Sequence, residues 1–385
     1  MTQLQLNHSR GGRLLSQGAY GCVYKPGLRC PNARGSGAAV RGTVSKLQRA
    51  GRAATTEVAI GARIRQTMPR YAQRFAPVVE SCAVRGAQLP EGTATGCRAV
   101  AKEGGGGGDL VIMRMPSAGE QTLGKYLSRR GRTAAQIEEA WRALRNALAQ
   151  LADDAGVVHF DFKGDNAMWS RARRAPVVID FGLALFVPAL LGEAPPLTPP
   201  ILDNADADAD AALWRQGFFA LHPAYAAWCP EAVLCAALWQ SEIRGPQTDG
   251  SESRESPSPD AAVAGGGGGS RVWRSTDVLG APELDHMRAA LAACFERHPT
   301  ILLLQQHLQL QQRMALRRTA LEEWVAGQSG RTRLAVGRDL LRKTWRKWDR
   351  FALAGTILAV LYRRGAAATE ALLWQALADD VLDDK

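Results

Sequence analysis

The sequence predicts an α+β protein with two lobes, a small β-rich lobe followed by a larger, mainly helical one. Its 385 residues, of which 46% are hydrophobic, are enough to bury the cores of two lobes. Before residue 116 the pattern is strand-like and interrupted by glycines, with one helical stretch at residues 55–66. After residue 116, apolar residues recur at helical spacing, which favours helices in the second lobe.

The clearest helical pattern lies in "TAAQIEEAWRALRNALAQLADDAG". Its apolar face consists of Ile137, Trp141, Leu144, Leu148 and Leu151. Thr133 is a candidate N-cap and Gly156 a candidate terminator, because a threonine hydroxyl accepts from the first free N–H groups and glycine adopts the left-handed conformation that ends helices.

The formal net charge of +11 raises the question of an acidic partner such as nucleic acid. Residues 331–350 hold eight Arg or Lys against two Asp, which gives 8 − 2 = +6 in one segment. Base-stacking aromatic residues are not convincingly interleaved there, so a solvated helix face is the preferred interpretation and nucleic acid is not a favoured partner.

Cysteine usage and hydropathy predict the compartment. The longest apolar run, "FALAGTILAVLY", is too short to span a bilayer, so no membrane association is expected. The seven cysteines contain no CxxC pair, which suggests neither a disulfide framework nor a zinc site. We therefore expect a reducing, intracellular, cytoplasmic compartment, with Cys22 as a small buried strand residue.

Three biased segments interrupt the pattern. The run "EGGGGGD" (Glu103–Asp109) is expected to be a loop between two strands, "CRAVAK" and "DLVIMRM". Residues 245–270 have almost no large apolar side chains, which predicts a disordered linker. The acidic run "DNADADADA" (residues 203–211) is expected to be a solvated loop without an evident basic partner.

These breaks divide the chain into five parts. The predicted parts are an N-terminal lobe (1–115), the core of the C-terminal lobe (116–244), the linker (245–270), a helical insertion (271–344), and a central helix with the C-terminus (345–385).

A glycine motif, "LLSQGAYGCVYKP", lies between two strand-like ends. Gly18 and Gly21 flank Ala19 and Tyr20, and glycines in such a loop let backbone N–H groups approach phosphate oxygens. A glycine hairpin without any ligand is an equally good interpretation of this motif alone.

Two charged residues follow the glycine motif in an informative order. Lys46 ends the β-type run "GTVSK", and Glu57 lies in the helical stretch. A strand lysine can hold α and β phosphates, and a helical glutamate can fix that lysine through an ion pair.

The stretch "HFDFKGDN" fits the pattern H-x-D-x-K-x-x-N. Asp161 can orient and accept the proton of an attacking hydroxyl, Lys163 can place a cation near a transferred phosphate, and Asn166 can bind Mg²⁺ through its amide oxygen. The strand-like "APVVI" then leads into Asp180-Phe181-Gly182, where Asp180 can supply a second metal-binding oxygen.

With these motifs the chain resembles the eukaryotic-type serine/threonine protein kinases, in particular those encoded by large DNA viruses. The resemblance implies a bilobal protein-kinase-like fold with a long insertion in the C-terminal lobe, ATP and Mg²⁺ as cofactors, and a protein substrate. It implies an ion pair between Lys46 and Glu57, catalysis by Asp161 with Lys163, and metal binding by Asn166 and Asp180. The implied nucleotide-binding residues are Gly18, Ala19, Tyr20, Gly21, Val23, Lys46, Met113, Arg114 and Met115.

The resemblance extends to two later segments. "WCPE" (residues 228–231) stands where Ala-Pro-Glu ends the activation segment of this family. "KWDRFALAGTILAVL" resembles the buried central helix, whose first-turn aspartate, here Asp349, bonds to the backbone of the catalytic loop.

Two departures from the family pattern matter. Phe160 replaces the arginine that pairs with a phosphorylated activation loop, so control by such phosphorylation is not expected. If Met113 is the residue before the hinge, Pro116 lacks an N–H that would bind adenine, which would weaken nucleotide binding by roughly 1 kcal/mol.

The insertion contains two strongly helical stretches, residues 281–298 and 300–327. We expect them to pack onto the helical lobe in place of its distal helices; a docking site for a partner protein is the alternative. Two other functions also remain open at this point: a small-molecule phosphotransferase of the aminoglycoside or choline type, and a nucleotide-binding pseudokinase scaffold.

Overall fold

The structure is a computed structural model that describes residues 12–18, 21–30, 42–89, 93, 96–101, 109–202, 208–241, 273–365 and 371–382. The predicted linker at 245–270 and the glycine run at 103–108 lie outside the described residues. The described chain forms two lobes, as predicted, with an antiparallel sheet in the first and mostly helices in the second.

The N-terminal lobe is built on one antiparallel sheet with the strand order β1-β2-β3-β5-β4. Its strands span Arg13–Gln17 (β1), Gly21–Lys25 (β2), Thr43–Arg49 (β3), Glu80–Val84 (β4) and Leu110–Pro116 (β5). Gly21 has to be glycine for a steric reason, since a Cβ there would lie 2.5 Å from the Leu47 carbonyl oxygen of β3.

Two helices accompany this sheet, α1 (Arg52–Thr67) and α2 (Arg98–Ala101). The prediction of a strand in "CRAVAK" is wrong, because Arg98–Ala101 forms a single helical turn. Two of its four residues are alanines, which favour helix, and the Val100 carbonyl accepts a hydrogen bond from the Arg49 guanidinium at 2.9 Å.

The N-terminal lobe contains two disulfide bonds, Cys22–Cys97 and Cys30–Cys82. The expectation that the cysteines would be unpaired is therefore wrong, and Cys22 is half of a cross-link. Spacing along the chain could not reveal these pairs, because the tertiary fold brings together residues 75 and 52 positions apart. The argument for a reducing compartment loses its basis, and the cytoplasmic location stays a prediction.

The C-terminal lobe begins with short strands and the long helix α4. Its strands are Gln121–Thr122 (β6), Val157–Val158 (β7), Ala167–Ser170 (β8), Ala175–Val178 (β9) and Leu185–Phe186 (β10). Its first helices are Leu123–Leu127 (α3), Ala134–Ala155 (α4), Val187–Leu190 (α5), Ala209–Gly217 (α6) and Pro230–Ala237 (α7). The predicted caps of α4 are confirmed, since Thr133 accepts from the Gln136 N–H at 3.3 Å and Gly156 has φ 69°.

The remaining helices come from the insertion and the C-terminal part. They are Ala281–Arg297 (α8), Pro299–Gln305 (α9), Leu308–Ala326 (α10), Arg333–Thr344 (α11), Trp348–Arg363 (α12) and Ala371–Leu382 (α13). The second predicted stretch divides into α9 and α10 at Gln306 and His307. Buried residues of α8, α9 and α10 belong to the same hydrophobic core as those of α4, α7 and α12, so the insertion packs onto the helical lobe.

The basic segment 331–350 is largely used in ion pairs within the protein. Six of its cations pair with carboxylates: Arg331 and Lys343 with Asp339, Arg338 with Asp210, Arg342 with Glu193, Arg346 with Asp153, and Arg350 with Asp380. Of the acidic run, residues 203–207 lie outside the described residues, and Asp210 lies in α6 rather than in a loop. Arg338 is its basic partner, so the prediction is wrong for this residue. Apart from the pair of Arg350 with the buried Asp380, these pairs are at least partly exposed and stabilise the fold weakly.

Among the described residues, the structure has no helix with both the length and the apolar character to cross a membrane.

We predict that reducing the two disulfides lowers the stability of the protein by about 2–4 kcal/mol for each disulfide, because each cross-link restricts the unfolded chain over a long loop. Guanidinium unfolding with and without dithiothreitol measures this change. A variant with Cys22, Cys30, Cys82 and Cys97 all replaced by serine is the control, and the reductant should leave its unfolding curve unchanged. Identical wild-type curves in both conditions would contradict the prediction.

Candidate active site

Lys46 is the centre of an ion-pair cluster between the lobes. Its Nζ atom lies 2.9 Å from Glu57 Oε2 of α1 and 2.9 Å from Asp180 Oδ1, which follows β9. Strand pairing places Val23 of β2 and Met113 of β5 on either side of Lys46. The structure thus brings these five predicted site residues together at the cleft.

The charges of this cluster shift one another's pKa values. Burial lowers the pKa of Lys46, but attraction by Asp180 and Glu57 outweighs burial and raises this pKa above its ordinary value. Burial works in the opposite direction for Asp180, yet Lys46 holds the pKa of that carboxyl below its usual range. For Glu57, burial wins over the attraction of Lys46 and the pKa is raised. Lys46 is therefore a fixed cation and Asp180 a fixed anion at neutral pH.

The catalytic-loop candidates surround the carboxylate of Asp161. Lys163 Nζ lies 3.3 Å from Asp161 Oδ1, and Asn166 Nδ2 donates to Asp161 Oδ2 at 3.0 Å and to the Asp161 carbonyl at 2.8 Å. The side chain of Asp161 is only 6% exposed. A hydroxyl that reached this carboxylate would meet a proton acceptor whose position is fixed by its neighbours.

Asn166 and Asp180 lie on adjacent chain segments, because the Ile179 N–H donates to the Asn166 carbonyl at 3.0 Å. The Asn166 amide nitrogen is engaged with Asp161, so its oxygen is the atom offered to a cation. Amide and carboxylate oxygens fit Mg²⁺, which usually takes only one or two carboxylates and completes its shell with water and phosphate oxygens. Among the described residues, no group of three or more His, Cys, Asp or Glu that could hold a metal occurs.

Asp349 fixes the catalytic loop, as the resemblance implied. Its carboxylate accepts the N–H of His159 at 2.6 Å and the N–H of Phe160 at 3.0 Å. The His159 ring is in turn bonded through Nε2 to the Ile179 carbonyl at 2.9 Å and lies 5.3 Å from the Phe181 ring. Phe181 is 1% exposed, and its inward packing places the preceding Asp180 at the cleft.

Phe160 lies in an aromatic cluster, which we define as Phe160, Phe218, Trp228 and Trp348. The ring centroids of the other three lie 5.5, 4.8 and 5.7 Å from that of Phe160, and all four side chains are buried. Trp228 also donates its indole N–H to the Phe160 carbonyl at 3.0 Å. The cluster stabilises Phe160 at φ 63°, a conformation that non-glycine residues rarely adopt.

The nucleotide-binding predictions fall partly on described residues. Gly18 donates its N–H to the Gly21 carbonyl at 2.9 Å, which closes the turn, whereas Ala19 and Tyr20 lie outside the described residues. Met113 and Met115 face α1 within a small apolar cluster of the N-terminal lobe.

Arg114, the third predicted residue of β5, is engaged with the β4 side. Its carbonyl accepts the Val79 N–H at 2.8 Å, and its guanidinium pairs with Glu80. The nucleotide-binding roles of Met113, Arg114 and Met115 stay predictions.

Sequence reasoning missed three residues that contact the site or hold it. Tyr225 donates its hydroxyl to Asp161 Oδ1, and His298 bonds through Nε2 to the Tyr225 carbonyl at 3.0 Å. Arg317 of α10 pairs with both carboxylate oxygens of Glu231, at 2.7 and 2.9 Å. Only the position of Tyr225, shortly before Glu231 in the segment that follows Asp180, could have drawn attention to it.

The site combines a lysine held by two carboxylates, a buried proton acceptor and two oxygen ligands for a cation. These are the groups that phosphoryl transfer requires. In agreement, residues 114–191 match the model of the Phosphotransferase enzyme family, which covers the catalytic loop and Asp180. The match supports a phosphotransferase activity. No curated protein matches the chain.

We predict that Asp349→Ala lowers the free energy of unfolding by about 3 kcal/mol and abolishes activity, because two buried N–H groups lose their acceptor. Urea unfolding together with activity measurements tests this. Asp153→Ala, which breaks the exposed pair with Arg346, is the matched control and should change stability by less than about 1 kcal/mol. Equal losses of stability and activity in the two variants would contradict the role of Asp349 as the anchor of the loop.

We also predict a pH dependence from His298, whose pKa burial lowers from 6.5 to about 4. The folded state holds this ring neutral. The contribution of the ring to the free energy of unfolding is therefore fully present above pH 6.5 and is lost as the pH falls towards 4. The lost contribution is about 3 kcal/mol. Unfolding of the wild type and of His298→Asn at about pH 7 and about pH 4.5 should show a smaller pH-dependent loss in the variant. The same loss in both proteins would contradict the assignment.

Proposed function

We propose that the protein is an ATP- and Mg²⁺-dependent serine/threonine protein kinase that transfers the γ-phosphoryl group of ATP to protein hydroxyls. The observation that carries the proposal is the position of Lys46 Nζ, 2.9 Å from both Glu57 and Asp180. The contact with Asp180 connects the two lobes, because it joins the strand lysine to the second metal-ligand candidate.

In the proposed reaction the acceptor hydroxyl oxygen attacks the γ-phosphorus, and the bond from this phosphorus to the bridging oxygen of ADP breaks. Asp161 orients the hydroxyl and takes its proton, while Lys163 offsets negative charge on the transferred group. Lys46 holds the α and β phosphates, and Glu57 holds Lys46. Bound at Asn166 and Asp180, Mg²⁺ would neutralise charge on the phosphates.

The segment between Asp180 and Glu231 supports a protein acceptor. Glu231 is tied to Arg317 by two charge-assisted bonds, with both side chains mostly buried, which fixes the end of the segment. Tyr225, within the same segment, reaches Asp161, so the segment borders the position of the acceptor. A chain segment that borders the acceptor position offers a surface on which a polypeptide substrate can lie.

The aromatic cluster supports activity that does not depend on phosphorylation of this segment. Phe160 offers no cation to a phosphate, and three aromatic rings already surround it. The likeness to viral kinases and an intracellular or virion location remain predictions.

A small-molecule phosphotransferase is the second candidate, and the family match at residues 114–191 favours it. Both candidates use the same base, metal ligands and nucleotide, so only the acceptor distinguishes them.

The deciding experiment is transfer of label from γ-labelled ATP with Mg²⁺. We expect label on serine and threonine of a protein substrate such as casein, and no label transfer by Asp161→Asn, Lys46→Met or Asp180→Ala. These variants lose the base, the phosphate contact and a metal ligand, and activity should fall by more than about a hundredfold.

The same assay with aminoglycosides and choline as acceptors separates the two candidates. Label on these compounds but not on protein would establish the second candidate. ATP binding without transfer to any acceptor would instead indicate the scaffold.

A further inference from the structure

We propose that Tyr225 occupies the position of the acceptor hydroxyl at Asp161, so that a substrate has to displace it before phosphoryl transfer. The proposal rests on the proposed function and concerns access to the same site. It assigns to Tyr225 control of acceptor access to Asp161, a role that neither the motifs nor the family match indicates.

The hydrogen bonds of Asp161 carry the first step of the argument. Each carboxylate oxygen offers two lone pairs. Oδ1 receives the Tyr225 hydroxyl and lies 3.3 Å from Lys163, while Oδ2 receives Asn166 and lies 3.4 Å from Lys163. The carboxylate is therefore fully engaged, and an acceptor hydroxyl needs one of these positions.

Tyr225 is the occupant that matches an acceptor. Lys163 and Asn166 contribute nitrogen donors and are themselves candidates for the transfer machinery. Tyr225 contributes a hydroxyl, the same donor group as a serine, threonine or water acceptor, and its side chain is half-buried at the border of the site.

Hydrogen bonds fix the backbone of Tyr225, so the fold itself positions its hydroxyl at Asp161. Its N–H donates to the His222 carbonyl at 3.0 Å, and its carbonyl accepts the Trp228 N–H at 2.9 Å. The same carbonyl faces Nε2 of His298, whose Nδ1 accepts the Thr300 N–H at 3.2 Å. The hydrogen bonds of both ring nitrogens are those of one neutral tautomer of His298, with the proton on Nε2.

His298 connects this contact to the insertion. It lies between α8 and α9, and its ring packs 5.2 Å from that of Phe351 in the central helix α12. The insertion thus supports the turn that presents the Tyr225 hydroxyl. Displacement of the hydroxyl requires rotation of the side chain, whereas the backbone can stay in place.

The test is Tyr225→Phe, which removes the hydroxyl and keeps the ring. Hydrolysis of Mg-ATP with water as the acceptor should become about tenfold faster, and the KM for casein should fall by a similar factor, because a competing hydrogen bond to a charged group is lost. The casein kcat and the KM for ATP should stay within about twofold of wild type, since no transfer residue has changed.

Tyr362→Phe, a half-exposed tyrosine on α12, is the matched control and should behave as wild type in each assay. A Tyr225→Phe protein with the unfolding midpoint of wild type but a lower kcat and an unchanged casein KM would overturn the proposal, since Tyr225 would then position Asp161. Unchanged hydrolysis and unchanged KM would overturn it as well.

Asp161→Asn separates this proposal from the proposed function. If wild type and Asp161→Asn are equally inactive towards water and casein, the proposed protein-kinase function itself fails. If wild type transfers phosphate, Asp161→Asn does not, and Tyr225→Phe shows no gain, only the role of Tyr225 fails.

Discussion

The two hydrogen bonds from the catalytic loop to Asp349 hold the functional half of this protein together. They join a loop that has little regular structure of its own to the buried first turn of α12. Burial raises the pKa of Asp349, while His159 and the two N–H groups oppose that rise. Because the His159 ring also contacts Phe181 on the neighbouring segment, the anchor reaches from the central helix to the cleft.

The aromatic cluster replaces an electrostatic connection with a packed one. A cation at position 160 would gain its partner only when a phosphate is added, whereas Phe160 is already in contact with three rings. Contacts between aromatic rings are nearly independent of salt and pH, in contrast to a phosphate–arginine pair. The loop geometry is thus built into the fold, and any control has to act elsewhere, for example on the acceptor position.

Local patterns predicted the parts of the molecule that depend on neighbours in sequence. The helix at 134–155 carries its periodicity and both of its caps in one continuous stretch, and Lys46, Asp161, Asn166 and Asp180 lie in short motifs. The disulfides, the Glu231–Arg317 pair and the Tyr225 contact could not be predicted, because each joins segments that only the tertiary fold brings together. The strand predicted at "CRAVAK" failed for a local reason, since the two alanines of Arg98–Ala101 favour a helix.

The connectivity around the insertion has a consequence for biosynthesis. The loop that carries Asp161 is synthesised early, but its anchor Asp349 follows 190 residues after His159. A nascent chain therefore exposes the loop, α4 and α7 for the whole time that the insertion takes to emerge. The helical lobe cannot mature progressively from its N-terminus, and the catalytic loop gains its anchor only after Asp349 has been synthesised.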